Sequence, residues 1–198
     1  MKNNDCGPCA KKKKDCDCPR GPRGPAGATG PSGSTGPSGD PGATGPSGDV
    51  GPAARVTNPI AQEIPSGTST PLAFTALRDG SDPDVFDAGA PTRLTAPVAG
   101  WYLITGSVNW EPNDDGLRSL AIEQNDSTNI ADVTQPALAG EGVSTPQSIS
   151  TLWYLAAGEF VELVVLQDSG VTIDVTSEAD FSPEFAMARV AVGTPPAP

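Results

Sequence analysis

The stretch Trp101-Tyr-Leu-Ile-Thr-Gly-Ser-Val-Asn-Trp110 alternates from residue to residue. Tyr102, Ile104, Gly106, Val108 and Trp110 fall on one face, and Thr105, Ser107 and Asn109 on the other. A strict period of two is the mark of a half-buried β-strand. Reading outward, further short runs predict strands over Leu72–Leu77, Thr92–Thr95, Leu117–Gln124, Ile130–Val133, Ile149–Leu155, Phe160–Gln167, Val171–Val175 and Glu184–Val192. Ile149, Thr151, Trp153 and Leu155 share a face. The Ala157-Gly158-Glu159 turn then leads into Val161, Leu163 and Val165. Asn113-Asp-Asp-Gly116 reads as a hairpin turn, since Asn and Asp bond their local backbone and Gly accepts positive φ. No helical stripe is sustained. Some nine strands punctuated by Gly, Pro, Asn and Asp predict an all-β, two-sheet sandwich of jelly-roll type. This region, residues 54–198, holds all ten aromatic residues, and about 145 residues suffice for one core.

Upstream lies a different material. From Gly21 to Ala53 the chain is eleven Gly-X-Y triplets, with glycine at 21, 24, 27, 30, 33, 36, 39, 42, 45, 48 and 51 and proline at X in six of them. Three polyproline-II strands wind so tightly that only glycine fits at their axis, so Gly21, Gly24, Gly27, Gly30, Gly33, Gly36, Gly39, Gly42, Gly45, Gly48 and Gly51 predict a collagen triple-helix stalk. A disordered Gly/Pro/Ser linker does not hold an unbroken phase. At about 3.1 Å per residue the rod reaches up to about 100 Å. A triple helix requires three chains, hence a homotrimer. Only Pro41 stands at a Y position, so the rod is weak by itself and calls for a folded trimeric domain at one end. Apolar residues facing away from the sandwich core, such as Leu152, Val164 and Leu166, are candidates for the seam between subunits.

Residues 1–20 hold all four cysteines, Cys6, Cys9, Cys16 and Cys18, around the run Lys11–Lys14. Cys6-Gly-Pro-Cys9 has the spacing of a thioredoxin-like redox motif, but no βαβ unit surrounds it. Interchain disulfides that anchor the protein, a thiolate zinc site, and reduced thiols in a tail all remain open.

Composition excludes several functions. The chain has no histidine, which removes the usual general base and the Ser-His and Cys-His nucleophile pairs. No lysine follows residue 53, and five arginines against nineteen acids leave residues 54–198 at −14. Such a surface repels phosphate backbones and anionic lipid, so neither nucleic acid nor membrane is expected as a partner. No apolar stretch of about 18 residues is present to span a bilayer. The N-terminus lacks the apolar run of a secretory signal, so classical export is not expected.

The run Arg93-Leu-Thr-Ala-Pro97-Val-Ala-Gly100-Trp-Tyr102-Leu-Ile-Thr-Gly-Ser-Val108 resembles the P-x-x-G-x-Y strand of the globular heads shared by complement component one-q and tumour necrosis factor (TNF). Arg118–Asn125, the Leu155–Val161 turn and Ser182-Pro-Glu-Phe185-Ala-Met187-Ala-Arg189 agree in order. Arg55-Val-Thr-Asn58, Ile64-Pro65 and Phe74 look like the bacterial and phage branch of that family. With a collagen-like stretch directly before it, the chain resembles a bacterial or phage collagen-like protein. The resemblance implies a ten-stranded jelly roll packed as a three-fold trimer. The three segments together lead to the expectation of a non-enzymatic fibre on a virion or spore surface, anchored through its N-terminus and binding a cell-surface glycan or protein receptor. A purely structural coat protein, whose head only registers the stalk, is the alternative.

Two clusters are candidates for further chemistry. Asp79, Asp82, Asp84 and Asp87 place four carboxylates in nine residues, a donor set suited to calcium but without EF-hand spacing. A solvated acidic loop is the plainer reading. Heads of the resembling family sometimes hold calcium near the three-fold axis. Trp101, Trp110, Trp153 and Tyr154 are candidates for stacking on a sugar, or for filling the core and the trimer interface. Paired acids alone do not make a glycosidase.

Overall fold

The computed structural model describes residues 21–34, 51–178 and 181–194. Cys6, Cys9, Cys16 and Cys18, and the stalk glycines Gly36, Gly39, Gly42, Gly45 and Gly48, lie outside the described residues. The chain divides into two units, residues 1–45 and 46–198. In the first, residues 21–34 form neither helix nor strand and every one is exposed.

The second unit is built from strands alone among the described residues. They are β1 (Ala53–Thr57), β2 (Gln62–Ile64), β3 (Thr70–Pro71), β4 (Ala76–Leu77), β5 (Arg93–Thr95), β6 (Gly100–Trp110), β7 (Leu117–Gln124), β8 (Thr128–Pro136), β9 (Thr145–Leu155), β10 (Phe160–Gln167), β11 (Ile173–Val175) and β12 (Glu184–Ala191). One sheet runs β2-β11-β6-β12-β1-β4, with β9 on the other side of β6; the second runs β3-β10-β7-β8, with β5 also on β10. Every pairing is antiparallel. The structure decides which face of each strand is the core face: Tyr102, Ile104 and Trp110 of β6 and Val161, Leu163 and Val165 of β10 are all buried.

Several local expectations differ from the fold. Asn113–Gly116 is no hairpin, because β6 and β7 belong to different sheets and the segment crosses between them. The crossing wraps a fully buried arginine. Arg118 Nη1 donates to the carbonyls of Asp115 (2.9 Å) and Leu117 (3.1 Å), and Nη2 to the backbone oxygen and Oδ1 of Asn113 (3.1 and 3.0 Å). Burial lowers the pKa of Arg118, while Asp168, Asp115 and Glu111 act in the opposite direction. The hairpin turn within the second sheet is instead Asn125-Asp126, at φ 52° and 60°, a conformation these two residues tolerate better than most.

The predicted strand Leu72–Leu77 shrinks to Ala76–Leu77. Leu72 and Phe74 are buried, and their amides reach the carbonyls of Leu163 (2.9 Å) and Pro91 (2.8 Å) rather than a ladder partner. β1 and β2 gave no apolar run long enough to read from sequence. The boundary of the Gly-X-Y segment also moves. Ala53 opens β1, the carbonyl of Pro52 accepts the amide of Arg189 at 3.0 Å, and a Cβ on Gly51 would lie 2.9 Å from the Arg189 carbonyl. The triplet Gly51-Pro52-Ala53 therefore belongs to the sandwich, and glycine at 51 serves close packing on β12.

Candidate functional site

The strand register lays out the outward face of the β6-containing sheet. Because even-numbered residues of β6 fill the core, Trp101, Leu103, Thr105 and Ser107 point outward, and the register sets their neighbours. Trp101 pairs with Tyr154; Leu103 lies between Leu152 and Ala188; Thr105 lies between Ser150 and Ala186; Ser107 lies between Ser148 and Glu184. The face is thus apolar at one end and polar at the other.

At the apolar end Leu103 and Leu152 are 44% and 54% exposed. Trp101 meets Tyr154 edge to face, with ring centroids 5.9 Å apart. These two rings and Leu152 line a cleft of about 450 Å³ with Gln124 and Glu159. Gln124 is held by the Trp153 indole, whose Nε1 donates to Gln124 Oε1 at 3.0 Å. The four aromatic candidates therefore separate. Trp110 is fully buried, donating from Nε1 to Gln147 Oε1 at 2.8 Å; Trp153 packs against the core; Trp101 and Tyr154 remain half-exposed on the surface.

At the polar end lies a cleft of about 500 Å³ bordered by Arg55, Arg78, Glu184 and Phe181 and floored by Ser107 and Ser148. A contiguous cleft extends it over Thr105 and Ser150. Glu184 holds both arginines: Arg55 donates to Oε2 from Nε (3.1 Å) and Nη2, and Arg78 Nη2 donates to Oε1 at 3.2 Å. Both guanidinium side chains stay about half exposed, at 56% and 49%. Sequence reading missed this cluster, since Arg55, Arg78 and Glu184 are separated by up to 129 residues and carry no shared motif.

The opposite sheet carries a second ionic cluster. Arg93 Nη2 binds both oxygens of Asp126 (2.8 and 3.0 Å), its Nε binds Glu162 Oε1 (3.3 Å), and its guanidinium lies 3.9 Å from the Phe160 ring centre. Glu162 also accepts from the Thr92 hydroxyl. Burial raises the Glu162 pKa; the bonds from Thr92 and Arg93 oppose that shift, and the nearby Asp126 adds to it.

In the acidic loop two of the four carboxylates bond to nearby backbone. Asp82 Oδ1 accepts the amide of Asp84 (3.0 Å) and Asp87 Oδ1 that of Gly89 (2.8 Å), so these carboxylates close local turns. Among the described residues no three of Asp79, Asp82, Asp84 and Asp87, or of any other Asp, Glu, His or Cys, converge to hold a cation. Of the candidate seam residues, Leu152 is exposed, whereas Val164 is buried and Leu166 half-buried within the single chain.

No protein-family model matches the chain. An uncharacterized protein, L688, of Acanthamoeba polyphaga mimivirus is 29% identical over 119 residues, which cover 58% of this chain. The match spans half the length of that relative. Among solved structures, the Eiger TNF of S. frugiperda superposes with a TM-score of 0.56 at 13% identity, over 75% of this chain and 98% of that one. The second unit is therefore an all-β jelly roll of the TNF type.

Proposed function

We propose that the chain is a non-enzymatic homotrimeric surface fibre: a Cys-rich N-terminal anchor, a collagen-like stalk, and a TNF-like head that registers the three chains and presents a binding surface. The observation that carries this reading is the behaviour of the stalk glycines. A Cβ built on Gly21, Gly24, Gly27, Gly30 or Gly33 meets nothing within 4 Å in the single chain. Among the described residues no contact inside one chain demands glycine at these five positions, yet the period of three runs unbroken through them and on to Gly48. Neighbouring strands at a triple-helix axis supply the missing demand.

The head supplies the matching surface. Leu103, Leu152, Trp101 and Tyr154, bordered by small Ala186 and Ala188, make an apolar patch of the kind that a subunit interface covers. This patch is the proposed seam, and it replaces Val164, which is already buried, and Leu166, which is half-buried. The mimivirus relative favours a virion over a spore as the particle that carries the fibre. Sedimentation equilibrium of the full chain tests the reading: the expected mass is three times the 20.1 kDa of one chain, and a monomer at micromolar concentration overturns it.

A purely structural coat function is the rival reading. It predicts that the trimeric head binds no receptor.

A further inference from the structure

The β6 face is taken up by the seam proposed above, so a surface that meets a receptor lies elsewhere on the head. β1 opens at Ala53, where the chain enters the sandwich; it runs antiparallel to β12, and β12 runs antiparallel to β6. The Trp110 end of β6 is therefore the end opposite that entry. Three connections meet there: 111–116 between β6 and β7, 137–144 between β8 and β9, and 168–172 between β10 and β11.

They form one tied rim. The Gly140 amide donates to Asp114 Oδ1 at 3.3 Å, the Ala137 amide to the Gly116 carbonyl at 3.0 Å, and the Leu117 amide to Asp168 Oδ1. Gly116, at φ 77°, lies so close to the third connection that a Cβ there would stand 2.9 Å from the Ser169 nitrogen. Arg118 clamps the first connection from within through the carbonyls of Asn113 and Asp115. A rim fixed in this way by its own bonds gives up little freedom on binding.

Two kinds of side chain give the rim its character. Leu117, Leu138, Val143 and Val171 are between 38% and 54% exposed. Asp114, Asp115, Glu141 and Asp168 are exposed among them, and the three connections contain no lysine and no arginine. They contain no aromatic residue either. Large aliphatic side chains grouped in the open, with acids around them, mark a surface that a partner covers.

This combination selects the partner. Carboxylates at such density repel nucleic acid, anionic lipid and a second copy of the same rim. With no ring present, nothing stacks on the apolar face of a sugar. The complementary surface is a protein one, with apolar side chains flanked by lysine or arginine. We propose that the rim docks such a basic, apolar protein surface and is the receptor-binding end of the head. The aliphatic side chains are the buried centre of the contact, and the carboxylates are its charged border. The proposal rests on the fibre reading and deepens it by naming the class of receptor, a protein rather than a glycan.

Fluorescence anisotropy of the full chain with three short labelled peptides tests it at about 0.15 M salt, where long-range attraction to the acidic head is screened. One peptide is built of lysine and leucine, one of lysine and serine, and one of glutamate and leucine. The lysine–leucine peptide is expected to bind, and the other two at least about tenfold more weakly, the scale of one lost anchor. Leu138→Ser with Val143→Ser should weaken lysine–leucine binding by about tenfold or more. Asp115→Asn with Glu141→Gln should weaken it and flatten its dependence on salt. Asp79→Asn with Asp84→Asn removes the same charge near the entry of the chain, where the Asp82 amide bonds the Ala53 carbonyl at 2.7 Å, and should leave binding unchanged. Equal binding of the two lysine peptides, binding of none, or binding unaffected by the Leu138 and Val143 pair overturns the inference. An equal loss in the Asp79 and Asp84 pair overturns it too, because the charge of the whole head is then the cause.

Sedimentation of the same samples keeps the two readings apart. A wild-type trimer that ignores all three peptides overturns only this inference, whereas a wild-type monomer overturns the fibre reading. If the wild type is a trimer and the Leu138 and Val143 variant dissociates, a second copy covers the rim and the docking site is likewise overturned.

Discussion

Gly106 of β6 lies directly against Leu163 of β10 across the sandwich: a Cβ built on Gly106 would sit 2.4 Å from Leu163 Cδ1 and 2.9 Å from Cδ2. Glycine ordinarily weakens a strand interior, and its presence here marks a close approach of the two sheets. Gly106→Ala is expected to destabilise the head by about 1–3 kcal/mol, the usual cost of overpacking a tight core. Leu163→Val in the same chain should recover part of that loss. Urea unfolding of the single and double variants measures both; additive losses would show that the two positions do not share one space.

A second prediction concerns pH. The folded-state pKa of Glu162 is raised above the ordinary glutamate value by burial, so folding favours its protonated form. The stability this group contributes is fully present below the ordinary value of about 4.3 and is lost as pH rises through the higher folded value. Glu162→Gln should remove that slope. The variant's stability relative to wild type should rise between pH 4 and pH 7, with Arg93 still held by Asp126. Denaturant midpoints at the two pH values decide this, and a relative stability that falls with pH would reverse the assignment.

The proposed seam predicts a separation of folding from assembly. Leu103 and Leu152 are exposed in the single chain, so Leu103→Glu with Leu152→Glu should leave the β-sheet circular dichroism of the head intact. Six carboxylates brought into one interface should nonetheless push the chain toward monomer. A double variant that sediments as a trimer would place the seam elsewhere.

In the stalk, a Cβ on Gly30 meets nothing within one chain. Gly30→Val is therefore harmless to an isolated strand and disruptive only where three strands share an axis. Loss of the triple-helix circular dichroism signal, with the trimer mass kept by the head, is the expected result. An unchanged signal and unchanged protease resistance would remove the collagen assignment.

Much of the fold was legible because its signals are local. The alternation of β6 and the short apolar runs of β7 and β10 assign strand and extent, and which residues share a face, from neighbours two residues apart, since a pleated strand turns successive side chains to opposite sides. The Gly-X-Y phase is local in the same sense, and so is the resemblance carried by Pro97, Gly100 and Tyr102. Tyr102 proves to be buried, with its hydroxyl donating to the Val98 carbonyl at 2.6 Å.

What only the tertiary structure decided depends on which strands become neighbours. Asn113–Gly116 has the composition of a hairpin turn, but the partners of β6 and β7 lie in different sheets, and the segment became a crossing that cradles Arg118. The carboxylates of Asp82 and Asp87 are close in sequence yet turn back to their own backbone, where bonds two residues away are available at once. Arg55, Arg78 and Glu184 meet because β1 pairs with both β4 and β12, and no spacing along the chain announces that meeting. Periodicity shows which residues of one strand share a face; which face is buried, and which residues of other strands join it, is set by register between strands far apart in sequence.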